Sequence, residues 1–527
     1  MGNLKFKDIY MGKIDAYNEY LEYGQEIFKG IFFEYPNFEI DKVLNGSIYY
    51  IHGDKGSGKT MLLKYIESVL YEKKEIYFSE FIRFKKDIDE DQRNQIKRVS
   101  IPMHPFEEII DSDIPSDISI NCVLAWEVYL IKVIVNRLRK TAVGIFNRED
   151  KNWDKLVNII AAVYDEPNEA SYIKKILPKV KKGNIEINLS KYGKMNLDLE
   201  WNDEEKRSIS FNSVGKRILD IYSCLIPEGE SKVYILIDEL ELSLRQRKQY
   251  TRDITLIRDL IFAVQYLSEI SKTNGYEVYF ISSIRNEVYK EAASKGFEIN
   301  KPIHDFGVQI DWSQKGGDIK ENPLLKMLHK RIQFSEKESN CPSKDIWKDY
   351  FIENVGRGNT SIFNYIIDQT WCRPRDIIRL FTIIQSRYGN KNYADQEVFD
   401  GVRQQYSKES WEEFEEILTA TYSDREAVGI RHALTGLVIP FSVEDFNQQI
   451  INKADTFTEV EQLIKNKRKP QQILRDLYDM GVIGNYGDFP RFSFKGEADI
   501  DPMTPLTIHY PLIRFFKASI KQRREYA

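Results

Sequence analysis

The sequence predicts an α/β fold, a parallel sheet with flanking helices, and three observations carry that expectation. A short β-branched and aromatic run, Ser47-Ile48-Tyr49-Tyr50-Ile51, leads into Gly53-Asp54-Lys55-Gly56-Ser57-Gly58-Lys59-Thr60, and a helix opens behind it at Met61-Leu62-Leu63. A longer apolar run, Lys232-Val233-Tyr234-Ile235-Leu236-Ile237, ends in Asp238-Glu239; a strand buried on both faces of a parallel sheet reads this way. Glu277-Val278-Tyr279-Phe280-Ile281 predicts another strand, and a helix from about Ile254 to Ile270 joins the two as a right-handed β-α-β unit.

The remaining elements follow in chain order. The aromatic Phe28-Lys29-Gly30-Ile31-Phe32-Phe33 is expected to pack beside the glycine loop, with Ile14 to Glu19 available to hold a base. Glu75-Ile76-Tyr77-Phe78 predicts a second strand, and the charged stretch from Lys85 to Lys97 reads as an exposed connection. Apolar residues at three- and four-residue intervals from Val123 to Leu138 predict a core helix. Alternation through Ile185-Glu186-Ile187-Asn188-Leu189 and Met195-Asn196-Leu197-Asp198-Leu199 predicts a β-hairpin insertion at about 181–201. Pro374 sits where a helix would begin, just after Trp371-Cys372-Arg373. Ser442 is placed to cap one helix, Pro470 to Tyr478 form another ending near Gly481, and Val482 to Gly487 with Arg491 to Phe494 read as a hairpin.

Composition bounds the function. At 527 residues the chain is long enough for several domains, and 42% hydrophobic with 30% charged residues fits a globular protein. No apolar run approaches the roughly 20 residues that span a bilayer, and Met1 to Lys7 lack a signal peptide's apolar core. Four scattered cysteines, Cys122, Cys224, Cys341 and Cys372, show no paired metal-ligand spacing. A cytoplasmic location without membrane partners is the expectation. A net charge of −5 means that nucleic-acid binding would need a local basic surface; the run from Lys517 to Arg524 is either such an arm or the solvated end of a helix.

The chemistry concentrates at the strand ends. Strand, glycine loop and helix together satisfy the phosphate-binding P-loop pattern, in which backbone amides from Gly53 to Met61 close around the β-phosphate of ATP. Expected contacts are Gly53, Lys55, Gly56, Ser57 and Gly58, with Lys59 neutralising the β- and γ-phosphates, Thr60 joining Mg2+, and Met61 beside them. Asp238 is the second metal-facing group, and Glu239 is the base that polarises the attacking water, which favours hydrolysis. Arg285 is the chosen sensor of the γ-phosphate, with Ser283 and Asn286 as alternates; a structural ion pair is the other reading. Arg373 and Arg375, at the entrance of the helix opened by Pro374, either meet the triphosphate from a lid or form a surface ion pair.

Taken together, Gly53 to Thr60, Ile235 to Glu239, Ser282 to Arg285 and Arg373 to Asp376 resemble the AAA+ superfamily near its origin-recognition-like and STAND members. More narrowly, the chain is similar to bacterial P-loop ATPases of mobile-element and antiphage defence settings. The resemblance implies a P-loop NTPase core at 1–335, a helical lid at 336–400 that brings Pro374 and Arg375 to the nucleotide, and a winged-helix C-terminal domain at 401–527. It also makes His509 a candidate nucleotide sensor, although Ile508 and Tyr510 depart from the family's Met-His-Asp pattern, a departure that favours a structural histidine. Implied partners are further copies of the chain and a separate effector, because no effector module is appended. Arg245, Arg247 and Arg252 are possible donors of an arginine finger to a neighbouring copy. Three functions stand open: an ATP-hydrolysing regulatory switch, a DNA-binding initiator or loader, and a scaffold that binds ATP with little turnover.

Overall fold

A computed structural model describes residues 3–35, 38–72, 77–99, 122–141, 144–164, 180–181, 184–186, 208–240, 247–294, 298–313, 316–356, 358–419, 421–487, 490–496 and 499–520. Five strands form one parallel sheet: β1 (Tyr50–Gly53), β2 (Tyr77–Arg83), β3 (Lys232–Leu240), β4 (Val278–Arg285) and β5 (Gly307–Ile310), in the spatial order β2-β3-β4-β1-β5. Strand residues alternate between two cores, Ile235 and Ile237 facing one and Tyr234 and Leu236 the other. Both faces are therefore covered, as continuous apolar strands require.

Seven helices position the site: α1 (Ala16–Ile31), α2 (Lys59–Glu72), α3 (Val123–Leu138), α4 (Arg247–Asn274), α5 (Pro323–Glu338), α6 (Pro374–Tyr388) and α7 (Gln396–Leu418). The chain leaves β1 through α2 on one face and travels to the far edge at β2. It leaves β4 on the opposite face, through Val288, Ala292 and Ile303, and crosses β1 to reach β5. Connections that diverge this way open a crevice at the carboxyl ends of β4 and β1, where parallel sheets bind ligands.

A buried ion pair sets one wall of that crevice. Glu19 of α1 and Arg331 of α5 are each 1% exposed and 2.9 Å apart, Arg331 also donates to the Met11 carbonyl, and Glu19 accepts from the Lys13 amide. Gly12, at φ +107°, passes so close that a Cβ would lie 2.5 Å from the Arg331 guanidinium, so only glycine fits. The segment from Lys13 to Glu19 is thereby fixed against the body of the protein.

Four of the five strands and α3 follow the sequence expectation, β5 was not foreseen, and further differences lie elsewhere. The stretch from Lys85 to Lys97 is not an exposed connection: helices Phe84–Asp87 and Glu90–Val99 cover it, with Ile88 and Ile96 buried and Arg93 bonded to Asp253. Arg93 and Glu90 pair across to Asp253 and Arg252 of α4, which the local sequence could not display. Of the insertion expected at about 181–201, Val180–Lys181, Asn184–Glu186 and Ser208–Ser210 form a three-stranded antiparallel sheet, and 187–207 lie outside the described residues. The C-terminal hairpin pairs Ile483–Asn485 with Leu506–Ile508; Arg491 makes a single bridge to Asn485, because Phe492 folds over Gly484 and Ser493–Lys495 turns as a 3-10 helix. The boundaries expected at 335 and 400 fall inside α5 and α7. A third core, from Trp371 and Trp411 to Phe516, joins the end of α7 to the C-terminal helices. No helix among the described residues is long and apolar enough to cross a membrane.

Removing either partner of Glu19–Arg331 leaves the other charged and buried. Glu19→Leu or Arg331→Met should each cost about 3–5 kcal/mol in urea denaturation, while the double variant should cost much less than their sum. Additive losses would contradict the pairing.

Candidate functional site

The glycine loop closes the crevice from β1. Gly53 ends the strand, and a Cβ there would stand 2.8 Å from Ser57 Oγ and 3.1 Å from the Ile310 carbonyl. Gly56 and Gly58 have φ of +86° and +94°, which side-chain-bearing residues rarely adopt. The loop delivers the first turn of α2, whose amides lack intrahelical partners, to a cavity of about 270 Å3. Lys59 bends back over the loop and donates 2.9 Å hydrogen bonds to the Gly53 and Asp54 carbonyls. Burial pushes its ammonium down to about 8; Glu287 opposes the shift and Arg285 adds to it. Trp312 steadies the loop from below, its indole N–H donating to the Ser57 carbonyl at 2.8 Å.

The acids arrive from β3. The β3–β4 ladder slips between Ile237 and Leu240, and Glu239 sits in that irregularity at φ +58°. A non-glycine residue held in the left-handed region inside a strand is strained, and such strain collects at functional sites. Asp238 is 2% exposed; its Oδ1 accepts from the Ser283 hydroxyl, and among the described residues its Oδ2 has no hydrogen-bond partner. A buried carboxylate oxygen without a donor is costly, and a cation or its bound water would satisfy it. Asp238, Glu239, Ser283 and Arg285 all line the cavity together with Lys59 and Thr60. Asn286 does not line it: it donates to Asp54 Oδ1 at 2.7 Å and meets His52 Nδ1 at 3.1 Å, tying the loop to β4.

The opposite wall comes from α6. Pro374 occupies its first turn and lines the cavity beside Arg375, whose amide donates to the Gly56 carbonyl at 3.4 Å. Arg373 faces away, held by Asp376 at 3.0 and 2.8 Å, and donates to the Lys55 carbonyl at 3.2 Å. Lys13, Ile14, Asp15 and Ala16 complete the rim where a base was expected. Phe32 packs beside the loop helix, stacked on Tyr65 at 3.8 Å.

Two sequence expectations are corrected. His509 does not reach the cavity: it is 3% exposed, stacked on Trp371 at 4.6 Å and enclosed by Phe492 and Phe494. Burial, reinforced by Lys495, pushes its imidazole down to about 3, so it is a neutral structural residue near pH 7. Arg252 is not free to reach a neighbour, because Glu90 and Asp253 hold it buried in α4; Arg245 and the side chain of Arg247 lie outside the described residues. The sequence reading missed Glu413 of α7, which reaches Arg375 from 38 residues away and resembles its glutamate-rich neighbours. It also missed Lys13 and Trp312, for which no local pattern exists.

Residues 322–415 match a family described as the FunZ-associated C-terminal helical domain. The match contains α6 and Glu413, the whole far wall of the cavity. None of the curated proteins matches the chain.

His509 gives a test of its structural role. Its folded value of about 3 lies below the ordinary 6.5, so the unfolded chain binds the extra proton and stability falls as pH drops from 6.5 toward 3. This component has a slope of about 1.4 kcal/mol per pH unit. His509→Phe should flatten urea-unfolding free energy across that window and leave ligand affinity at the cavity unchanged.

Proposed function

We propose that this chain is a magnesium-dependent ATPase of the AAA+ and STAND kind that works as a nucleotide-controlled switch. The observation that carries the reading is the convergence of Lys59, Thr60, Asp238 and Glu239 on one cavity at the carboxyl ends of a parallel sheet. Lys13, Lys55, Lys59, Arg285 and Arg375 line the cavity against Asp15, Glu19, Asp238 and Glu239, a set of cations that suits a polyphosphate beside acids that suit its metal ion. Thr60 and the unpartnered Oδ2 of Asp238 would hold Mg2+, which supplies charge neutralisation for the phosphates. Glu239 orients and deprotonates the attacking water, and Arg285 meets charge on the terminal phosphate. The rim from Lys13 to Ala16 takes the base.

Helices Val443–Ala454 and Pro470–Asp479 followed by the antiparallel hairpin suit a winged helix, and α5 to α7 suit a lid. In this reading nucleotide state sets the orientation of the C-terminal body within a homo-oligomer. A separate effector in a bacterial antiphage defence system receives the signal, and the region matching the FunZ-associated C-terminal helical domain, 322–415, supplies the cavity wall that would transmit it. A second reading, a DNA-binding initiator or loader, is favoured by one observation: Lys465, Lys467, Lys469, Gln471, Gln472 and Arg475 are exposed on and just before one helix. Duplex binding that weakens steeply with salt would support it.

Glu239→Gln should keep ATP affinity and lower turnover by about 10²–10⁴-fold, whereas Lys59→Ala should lose binding. Unchanged hydrolysis in Glu239→Gln would remove it as the base. Phosphates favour the charged form of Lys59, so binding above pH 8 should take up a proton. Affinity should therefore fall as pH rises past about 8, measured by calorimetry in buffers of different ionisation enthalpy.

A further inference from the structure

One carboxylate stands against the cavity's cationic wall. Glu413 of α7 is 9% exposed and lies 3.2 Å from Arg375, 3.6 Å from Arg373 and 4.0 Å from Lys55, and it accepts a hydrogen bond from Arg379. Burial alone would raise its carboxyl; Arg373, Arg379, Arg375 and Lys55 together hold it far below the ordinary carboxylate range. The four cations are not equivalent. Arg373 and Arg379 also face Asp376, at 2.8 and 3.8 Å, and neither lines the cavity. Lys55 also faces Glu416 at 3.5 Å. Among the described residues Arg375 has Glu413 as its one carboxylate, and its Nε is buried without a hydrogen-bond partner. Of these four, Arg375 and Lys55 are the two that line the cavity, so Glu413 holds two of its lining cations.

Helix periodicity gives this pair mechanical reach. Ser410 and Glu413 point toward α6, where Arg379 meets both, while Trp411, Phe414 and Leu418 are buried in the C-terminal core. The same two turns of α7 therefore grip the cavity wall on one side and the C-terminal body on the other.

We propose that Glu413 is a built-in competitor for the terminal phosphate: it holds Arg375 and Lys55 in the ligand-free protein, and a triphosphate takes them from it and loosens α7. This rests on the ATPase reading and adds its regulation. Arginine forks onto a phosphate as readily as onto a carboxylate, and a terminal phosphate brings more charge than Glu413 does. A diphosphate lacks that group and leaves the Glu413 contacts in place. Glu413 is thus a positioning residue that sets discrimination between the two nucleotides.

Calorimetry with Mg2+ and either a non-hydrolysable ATP analogue or ADP, on the full chain and on Glu413→Gln, tests this. The variant should bind the ATP analogue about tenfold more tightly and ADP within about twofold of the native chain, a coupling of ordinary size. Equal tightening for both ligands, or for neither, overturns the proposal. Hydrogen exchange on the native chain covers a variant that fails to fold: the analogue should lower amide protection across 410–418 and ADP should not. Identical protection with both overturns it as well. If the native chain binds neither nucleotide, the ATPase reading itself fails and the proposal falls with it, an outcome distinct from binding without discrimination.

Discussion

A charge taken out of water has to be met by another charge or by hydrogen bonds, and that requirement organises this molecule around one crevice. Lys59 is met by two carbonyls of its own loop, Arg331 by Glu19, and Arg373, Arg375 and Arg379 by Glu413 and Asp376. Glu19–Arg331 joins segments 312 residues apart, the bond from Arg373 to the Lys55 carbonyl joins segments 318 apart, and Glu413 ties α7 to α6 across 38 and 34 residues. The N-terminal segment, the glycine loop, α5, α6 and α7 are consequently held in one arrangement around the cavity. Apolar packing would bring the same elements together, but it does not choose among registers as a buried pair does.

The pairing is incomplete where the chemistry is proposed. Asp238 Oδ2, Ser57 Oγ and Ser282 Oγ are buried and unpartnered among the described residues, and Glu239 is held in a left-handed conformation by the slipped ladder. Each feature lowers stability in isolation, and the large cores on both faces of the sheet offset the total. Local rules broken together at one place, beside a cavity lined by cations, mark a binding site more firmly than any one motif.

Much of this was legible because local patterns decided it. A continuous apolar run ending in Asp238-Glu239 has few solutions other than a central strand, and glycines at 53, 56 and 58 are demanded by close approach and positive φ. The opening of α6 at Pro374 was equally local. What escaped was decided at a distance. The stretch from Lys85 to Lys97 reads as solvated because its partner Asp253 lies far along the chain. Glu413 stands among Glu412, Glu415 and Glu416, a pattern that suits a solvated helix face, and only the arrival of α6 makes it different. His509 was drawn to the nucleotide by resemblance, whereas four aromatic and cationic neighbours decide its state. Helix α5 carries no glycine or proline at the expected limit of 335, and α7 runs through 400 despite Gly401, whose missing Cβ leaves room for the Tyr388 ring.

That continuity of α7 has a mechanical consequence. A flexible linker at residue 400 would let the C-terminal body drift without reference to the cavity. An unbroken helix of 23 residues transmits displacement instead, since rotation at one end moves side chains at the other. Glu413 and Trp411 lie within the same turn, so α7 cannot shift relative to Arg375 without repacking Trp411, Phe414 or Leu418. Close-packed cores do not deform continuously; they hold until a second arrangement becomes preferable. In the proposed switch, the contact between one carboxylate and the cavity wall is therefore the point at which a small change in ligand charge would become a choice between two packings of the C-terminal body.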